Sequence, residues 1–450
     1  PPAWEARGMD EADVLVAGAG AAGMVAALAA AARGARVLLI ERDAAAPSNL
    51  AISGGLFAAA GTRWQRAAGV EDSATRHAAD VRAKTGDAVD PVLLAAVTGV
   101  SARVADFLAD AAGVPIHLHQ GHWPGHSAMR LHATPAESGA ELSDLLRKAV
   151  RRQGRITFRD GTTITGLAAD GADVSDGARR RLRAGTVVLA TGGFGADAAL
   201  VARFCPEAAR AVHVGGALSD GTALRLAGPL GAALACTDSY QGQPHVSPHL
   251  VGGVRPRFGA ALPSLGAVLV NRRGERFADE TMGPSELTAH ILGQPEGRAV
   301  EIWDAAAHAA ALSGGPFRRA VELGAVAVCG DVQTLATRFA LPADRLAATL
   351  SHAVRCALGK ERDSLGRRHW MRPLTPPFHA ADVTGALAHT QGGLVVDTCG
   401  RVIREDGSAI HSIFAAGGAA CGISGHGAAG YVPGNGLAQR FGLGLLAGEA

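Results

Sequence analysis

Lysine is almost missing from this sequence: Lys84, Lys148 and Lys360 are the only three, and arginine carries nearly all the positive charge. Excess charge of either sign is missing too, since 43 basic residues face 41 acidic ones and the formal net charge is +2. So weak a field excludes recruiting nucleic acid or an acidic membrane surface by bulk attraction. The basic run Arg179–Arg183 has no aromatic residue interleaved and reads as a solvated hairpin tip. Cysteine is sparse: Cys205, Cys236, Cys329, Cys356, Cys399 and Cys421 are scattered with no Cys-x-x-Cys pair. That pattern argues against zinc, iron–sulfur or a disulfide framework and fits a reducing, cytoplasmic location. No signal-peptide pattern precedes the first expected strand. The stretch Pro1–Gly8 is polar and irregular, and Met9 is expected to be the natural start. The longest apolar stretch noted, Met24–Ala32, is too short to span a bilayer, so no membrane span is expected. No repeat with a period of tens of residues is evident.

What is present points to a well-buried enzyme. Hydrophobic residues make up 48% of the 450 and charged residues 19%, which suits two or three domains of about 150 residues each. Apolar texture predicts strands at Asp13–Ala17 and Arg36–Ile40, with an Ala-rich helix between them. Helices are expected over 91–112, 138–153, 301–312 and 341–358, and a last one from Gly436. A small meander is expected at 156–183, and further strands at Thr186–Ala190, Gly392–Asp397 and Ile413–Gly418. The resulting fold class is α/β: a discontinuous domain built from 1–236 and 386–450, with an inserted α+β domain at 237–385.

The first chemical signal is Gly18-Ala19-Gly20-Ala21-Ala22-Gly23, directly after a strand and opening a helix. The first glycine permits the tight turn, the second lets backbone approach a pyrophosphate, and the third, Gly23, lets helix and strand pack closely. The helix N-terminus presents free amides and partial positive charge to phosphates. Glu41 ends the second strand, where a carboxylate can accept the ribose hydroxyls and disfavours a 2′-phosphate.

Further along, Ser48-Asn49 precede Ser53-Gly54-Gly55. Ala190-Thr191-Gly192-Gly193-Phe194-Gly195 and Ser219-Asp220-Gly221 follow. Then come Gly266–Asn271 with Gly274-Glu275-Arg276-Phe277, His389-Thr390-Gln391-Gly392-Gly393 and Gly434-Asn435-Gly436. In this order the motifs resemble the fumarate reductase/succinate dehydrogenase flavoprotein superfamily over essentially the whole chain. The resemblance implies a Rossmann-like FAD-binding domain with a capping domain. It implies FAD contacts at Arg42, Ser48, Asn49, Ser53, Gly54, Gly55, Thr191, Gly192, Asp220, Gly417, Asn435, Gly436 and Leu437, besides Gly18, Gly20, Ala22 and Glu41. Ser53–Gly55 would lie along the flavin edge, and the amides opening the final helix would face the N1/O2 side, stabilising negative charge there. Members that attach FAD covalently carry a His where Ser48-Asn49 stand, so noncovalent FAD is expected. The family's ribityl-holding Glu has no counterpart in Ala416-Gly417-Gly418.

The substrate positions depart from that pattern. By ungapped counting from Val270-Asn271, the family's catalytic Arg falls at Pro284 and its Glu and Arg relay partners at Ala260 and Pro263. The second carboxylate-binding Arg falls at Tyr431. A proline, a small apolar residue and a phenol cannot hold a carboxylate as guanidinium does. Arg255 and Arg257 lie near enough in sequence for a shifted clamp. His389 and His245 match the family's substrate histidines. Tyr431-Val432-Pro433-Gly434-Asn435-Gly436 resembles the Tyr-Pro-Gly-x-Gly stretch of 3-ketosteroid Δ1-dehydrogenases, in which a Tyr polarises a ketone. The cluster His117, His119, His122, His126 and His132 lacks nearby acids or cysteines in sequence, so no metal is expected. Gly125–Ser127, Arg130 and His132 are expected to line the substrate pocket, with Arg130 holding an anionic group.

The expected activity is hydride transfer between FAD and a carbon–carbon bond beside a carbonyl or carboxylate, as enoate or enone reduction or the reverse desaturation. The catalytic candidates are Tyr431, His389, His245 and Arg130, and the substrate is a small molecule. Aspartate-oxidase-like oxidation of a C–N bond and a purely electron-transferring flavoprotein are the other readings. Neither a haem-attachment motif nor a second nucleotide loop is present, so an external electron donor or acceptor is expected.

Overall fold

The computed structural model describes residues 10–259 and 261–450. The expected start at Met9 and the relay position Ala260 lie outside the described residues. Two compact units emerge. One comprises the chain up to Pro206, Gly215–Tyr240 and His389–Ala450; the other comprises Glu207–Val214 and Gln241–Ala388. The joins therefore fall a few residues beyond the expected 236/237 and 385/386, and a short early segment changes sides. That segment belongs to the second unit because Val212-His213 pair in parallel with Ala386-Leu387.

The first unit is built on an eight-stranded sheet. In chain order its labelled strands are β1 (Glu11–Ala17), β2 (Val37–Ile40), β3 (Ile156–Arg159), β4 (Thr163–Ala168), β5 (Gly171–Ser175), β6 (Arg179–Leu189), β7 (Arg401–Ile403) and β8 (Ala409–Ala415). The order across the sheet is β7-β8-β6-β1-β2-β3, with the β4–β5 ribbon joined to β6. Strand β1 is central and parallel to both neighbours, pairing Val14 with Val37 and with Thr186. A strand buried on both faces favours a continuous apolar run, and Leu15-Val16-Ala17 is one. The long β6 serves two partners. Its arginine-rich first half pairs with β5, where Arg181 Nε donates to Asp173 at 2.6 Å, and its apolar second half pairs with β1. The basic run is thus the neutralised outer part of a hairpin.

Helix α1 (Ala21–Ala32) follows the glycine turn, and α2 (Pro91–Asp106), α3 (Gly139–Arg152) and α4 (Asn435–Glu449) complete the main packing. The alanines of α1 and the glycines of α4 let the two backbones meet. A Cβ on Gly444 would lie 2.6 Å from the Ala22 carbonyl oxygen, and one on Gly448 would lie 2.4 Å from that of Ala26. Rising numbers on both sides mean that the helices run parallel. With π-helical Phe107–Ala111 appended, α2 forms a stretch, Pro91–Ala111, long and apolar enough by length and composition to cross a membrane. Here Leu93, Leu94, Val97, Val104 and Leu108 of that stretch sit in the core of the first unit.

The second unit holds a six-stranded mixed sheet. Its backbone strand, Phe378–Thr390, pairs antiparallel with Arg298–Asp304, which pairs with Val268–Val270. The expected helix at 301–312 is corrected here: Arg298–Asp304 is a strand, and the helix begins only at Ala305, capped by Asp304. Continuous apolar texture does not separate a buried strand from a helix. Alternation does: Ala299 and Trp303 enter one apolar cluster, Val300 and Ile302 another. The strand expected at Gly392–Asp397 shrinks to Gly393-Leu394.

Replacing Gly444 by Val should force α1 and α4 apart and cost about 1–3 kcal/mol, read as a lowered thermal midpoint. An unchanged midpoint would contradict the backbone contact.

Candidate active site

The parallel strands β1, β2 and β6 end together, and an open cleft lies at their carboxyl ends within the first unit. Gly18 donates its amide to Ile40 O, and Ala190 donates to Ala17 O, each at 2.8 Å, which ties the three strand ends to one another. Of the expected residues, Gly18, Gly20, Ala22, Glu41, Arg42, Ser48, Asn49, Thr191, Gly192 and Gly417 line this cleft. The three glycines divide the labour as their spacing suggests. Gly18 has φ +104°, and a Cβ there would strike Ala190 O at 2.4 Å. A Cβ on Gly23 would overlap Gly18 O, so Gly23 works through packing. Nothing lies within 4 Å of a Cβ on Gly20, which faces open space where a phosphate can approach.

Glu41 is fixed by backbone amides: Ala19 N donates to Oε2 at 2.7 Å, and Arg42 N to Oε1 at 2.8 Å. Thr191 lines the cleft, and its Oγ1 is buried without a protein partner. Asn49 receives the Gly216 amide and donates to Ser219, while Ser48 caps a short helix at Asn49–Ile52. Asp220 corrects the sequence-based assignment. Its carboxylate receives Arg42 Nη1 at 2.8 Å and Thr222 Oγ1 at 2.6 Å, and it is absent from the cleft wall. It positions Arg42 instead. Ser53, Gly54 and Gly55 lie outside this wall as well; Ser53 Oγ bonds Leu50 O and receives Gly55 N, while a Cβ on Gly54 meets nothing within 4 Å.

The far end of the site is built at the start of α4. Gly434, at φ +80°, precedes Asn435, and the first-turn amides of Gly436 and Leu437 have no preceding helical turn to accept them. The Leu437 side chain itself is core. Helix α4 begins nine residues before Gly444, its contact with the start of α1, so its N-terminus lies about 13 Å further along. Two positive helix ends at that separation suit the pyrophosphate and the flavin end of a dinucleotide.

Around Gly436 stand His389, Tyr431 and Arg440. The His389 and Tyr431 rings lie edge to face with centroids 6.3 Å apart. A Cβ on Gly436 would come within 2.8 Å of Arg440 Nη1 and 3.5 Å of His389 Nε2. Burial, helped by the nearby Arg440 charge, holds the His389 imidazole well below its ordinary value, so it is neutral near pH 7. Burial also raises the Tyr431 phenol, keeping it protonated and able to donate. Arg440 donates from Nη1 to Gly436 O at 2.6 Å. Sequence reading missed it, although it and Glu449 are the only charges in α4.

Arg130 is corrected from substrate ligand to support. Its side chain is fully buried and all three of its nitrogens are engaged by carboxylates: Nε and Nη2 by Asp72 at 2.9 and 2.8 Å, and Nη1 by Asp80. The same Nη1 lies 3.2 Å from His126 Nδ1, and His126 Nε2 donates to Pro433 O at 2.7 Å. Beside it, His77 Nε2 donates to Asn435 Oδ1 at 2.9 Å, and burial holds this imidazole down to about 4. These bonds fasten the turn before α4. His132 lies between Thr62 and Arg130 O, while His117 and His119 share Glu137. Among the described residues, His352, Cys356 and Asp363 bring metal-ligand types together, but Asp363 already holds Arg276 at 2.9 Å.

In the second unit His245 is buried with Nδ1 hydrogen-bonded to buried Glu301 at 3.1 Å. Arg255 donates to the carbonyls of Ser247 and Pro248. Arg257 donates to Val214 O, and its burial lowers it from the usual arginine value. Pro284 is the first residue of a helix, Pro284–Leu292, and Pro263 opens a single 3₁₀ turn.

The FAD binding domain family matches residues 13–437. The probable fumarate reductase Ifc3 of Shewanella frigidimarina (strain NCIMB 400) is 28% identical over 97% of this chain and 74% of its own length. An open-conformation structure of a flavocytochrome c3 fumarate reductase superposes with a TM-score of 0.83 at 27% identity, covering 99% of this chain and 79% of that one. The 3-ketosteroid-Δ4-(5α)-dehydrogenase from Rhodococcus jostii RHA1 shares the fold, with a TM-score of 0.78 at 24% identity, covering 98% and 96% of the two chains.

With Ser48 and Asn49 both engaged by protein and neither a nucleophile for flavin, acid precipitation of the FAD-loaded protein should leave the flavin in the supernatant. A yellow pellet would contradict noncovalent binding.

Proposed function

The chain belongs to the FAD binding domain family, within the fumarate reductase/succinate dehydrogenase flavoprotein superfamily, and from that premise we propose that it moves hydride between FAD and a carbon–carbon bond beside an activating carbonyl. FAD, when bound, supplies the hydride acceptor and donor at N5. The observation that carries the reading is the pairing of Tyr431 with His389 at the first turn of α4. The protonated Tyr431 phenol donates, whereas the neutral His389 imidazole directs Nδ1–H at Thr390 O at 3.4 Å and turns Nε2 to the site as an acceptor. Aimed at a carbonyl oxygen, the Tyr431 hydroxyl draws electron density from the adjacent carbons, and His389 Nε2 stands beside it as an acceptor. An α-hydrogen then becomes acidic in desaturation, and the β-carbon becomes electrophilic in reduction.

The relatives named for fumarate act on a dicarboxylate, whereas by ungapped counting the family's arginine positions fall in this chain at Pro284 and Tyr431, which carry no guanidinium. A monocarboxylate or ketone is therefore the better substrate class. The Rhodococcus enzyme, in complex with 4-androstene-3,17-dione, supports the ketone side of that reading, together with the run Tyr431–Gly436. Electrons pass to or from an external partner. The cysteines are unpaired, which fits a reducing compartment such as the cytoplasm.

Dye-linked turnover checks the reading. Fumarate and succinate should support little or none, and Tyr431→Phe should lower turnover of a carbonyl-activated substrate by about 10²–10⁴-fold while FAD content stays unchanged. Robust turnover of fumarate or succinate would overturn it.

A further inference from the structure

Arg440 is 7% exposed, lies six positions into α4, and has no carboxylate partner among the described residues. Its bond to Gly436 O uses one of five N–H donors, and its neighbours at this end of the site are the uncharged groups of His389 and Tyr431. A cation taken out of water without a counter-ion is an expensive feature. Arg130 and Arg276 differ from it: Arg130 holds two aspartates, and Arg276 is paired with Glu280 and Asp363. Arg440 thus waits for an anion that arrives with a ligand.

The cleft itself orders its possible anions. Glu41 marks the ribose end, and the amides opening α1 with the open face of Gly20 mark the pyrophosphate. Arg440 lines the same cleft beyond them, beside Gly417, with its guanidinium turned back towards the first turn of α4. We infer that Arg440 is the counter-cation of the flavin ring's pyrimidine edge, adding a full charge to the partial charge of the α4 N-terminus where negative charge collects once N5 has gained a hydride. Hydride addition to oxidised flavin brings two electrons and one proton, and the surplus electron density rests at N1 and the C2 carbonyl. A cation there holds that charge and makes the flavin a stronger oxidant. The inference rests on FAD as cofactor and is independent of which organic substrate the protein uses.

The test needs no organic substrate. Sulfite adds to N5 of oxidised flavin through its sulfur lone pair, and the added pair of electrons places negative charge on the same N1–C2 edge. FAD-loaded wild type, R440M and R440Q are titrated with sulfite, and their two-electron midpoint potentials are measured against reference dyes. Both variants should bind sulfite roughly ten- to hundred-fold more weakly and show lower midpoint potentials, and R440K should recover part of each. R440Q can still donate to Gly436 O, so it carries the test if R440M loses FAD. Sulfite affinity and midpoint potential that match wild type in the FAD-loaded variants would overturn the assignment. So would an effect confined to the KM of an acidic substrate, which would make Arg440 a substrate clamp.

Discussion

The close approach of α1 and α4 governs everything else in the first unit. Alanines on one helix and glycines on the other let the backbones meet, so that Gly444 and Gly448 lie on the carbonyls of Ala22 and Ala26. A side chain of ordinary size at either glycine would separate the helices. Because they run parallel and out of step, their N-termini stand about 13 Å apart along the cleft. One end opens on the cleft, and the other has His389, Tyr431 and Arg440 around it.

That second end is organised by which groups are charged and which are not. His389 and Tyr431 are held neutral by burial, and Arg440 stays a cation although its burial pulls it down to about 10. The neutral Tyr431 hydroxyl can polarise a carbonyl without repelling the guanidinium beside it, and the guanidinium discourages protonation of His389. Behind this trio a chain of buried bonds runs from Asp72 and Asp80 through Arg130 and His126 to Pro433 O, with His77 on Asn435 as a second fastening. The turn that aims Tyr431 is held from outside the site, which leaves the site's own donors for ligands.

Much of the nucleotide end was legible in the sequence because its constraints are local. The glycine spacing, the strand before it and Glu41 at the end of β2 lie within thirty residues, and each position has one physical reading. Tyr431 stood out because tyrosine is so rare in this chain. Arg130 misled because its partners Asp72 and Asp80 lie 58 and 50 residues earlier in the sequence, where no spacing rule points to them. The same holds for Asp220, claimed by Arg42 across the cleft wall. The strand at Arg298–Asp304 was hidden by being apolar on both faces, and Val212-His213 could not be placed without its distant partner strand. Arg440 carried a signal that went unread: a lone cation in an otherwise apolar helix has to meet something.

Binding FAD in such a frame is common to many activities, so the central claim concerns what the reduced flavin can reduce. The most direct measurement is anaerobic mixing of the fully reduced, FAD-loaded protein with separate cyclic enones, 3-ketosteroids, monocarboxylic enoates and fumarate, following return of the oxidised flavin spectrum. Rapid reoxidation by a carbonyl-activated alkene, with fumarate slow or inert, is the expected result. Fast reoxidation by fumarate with none by any enone or monocarboxylic enoate would contradict it.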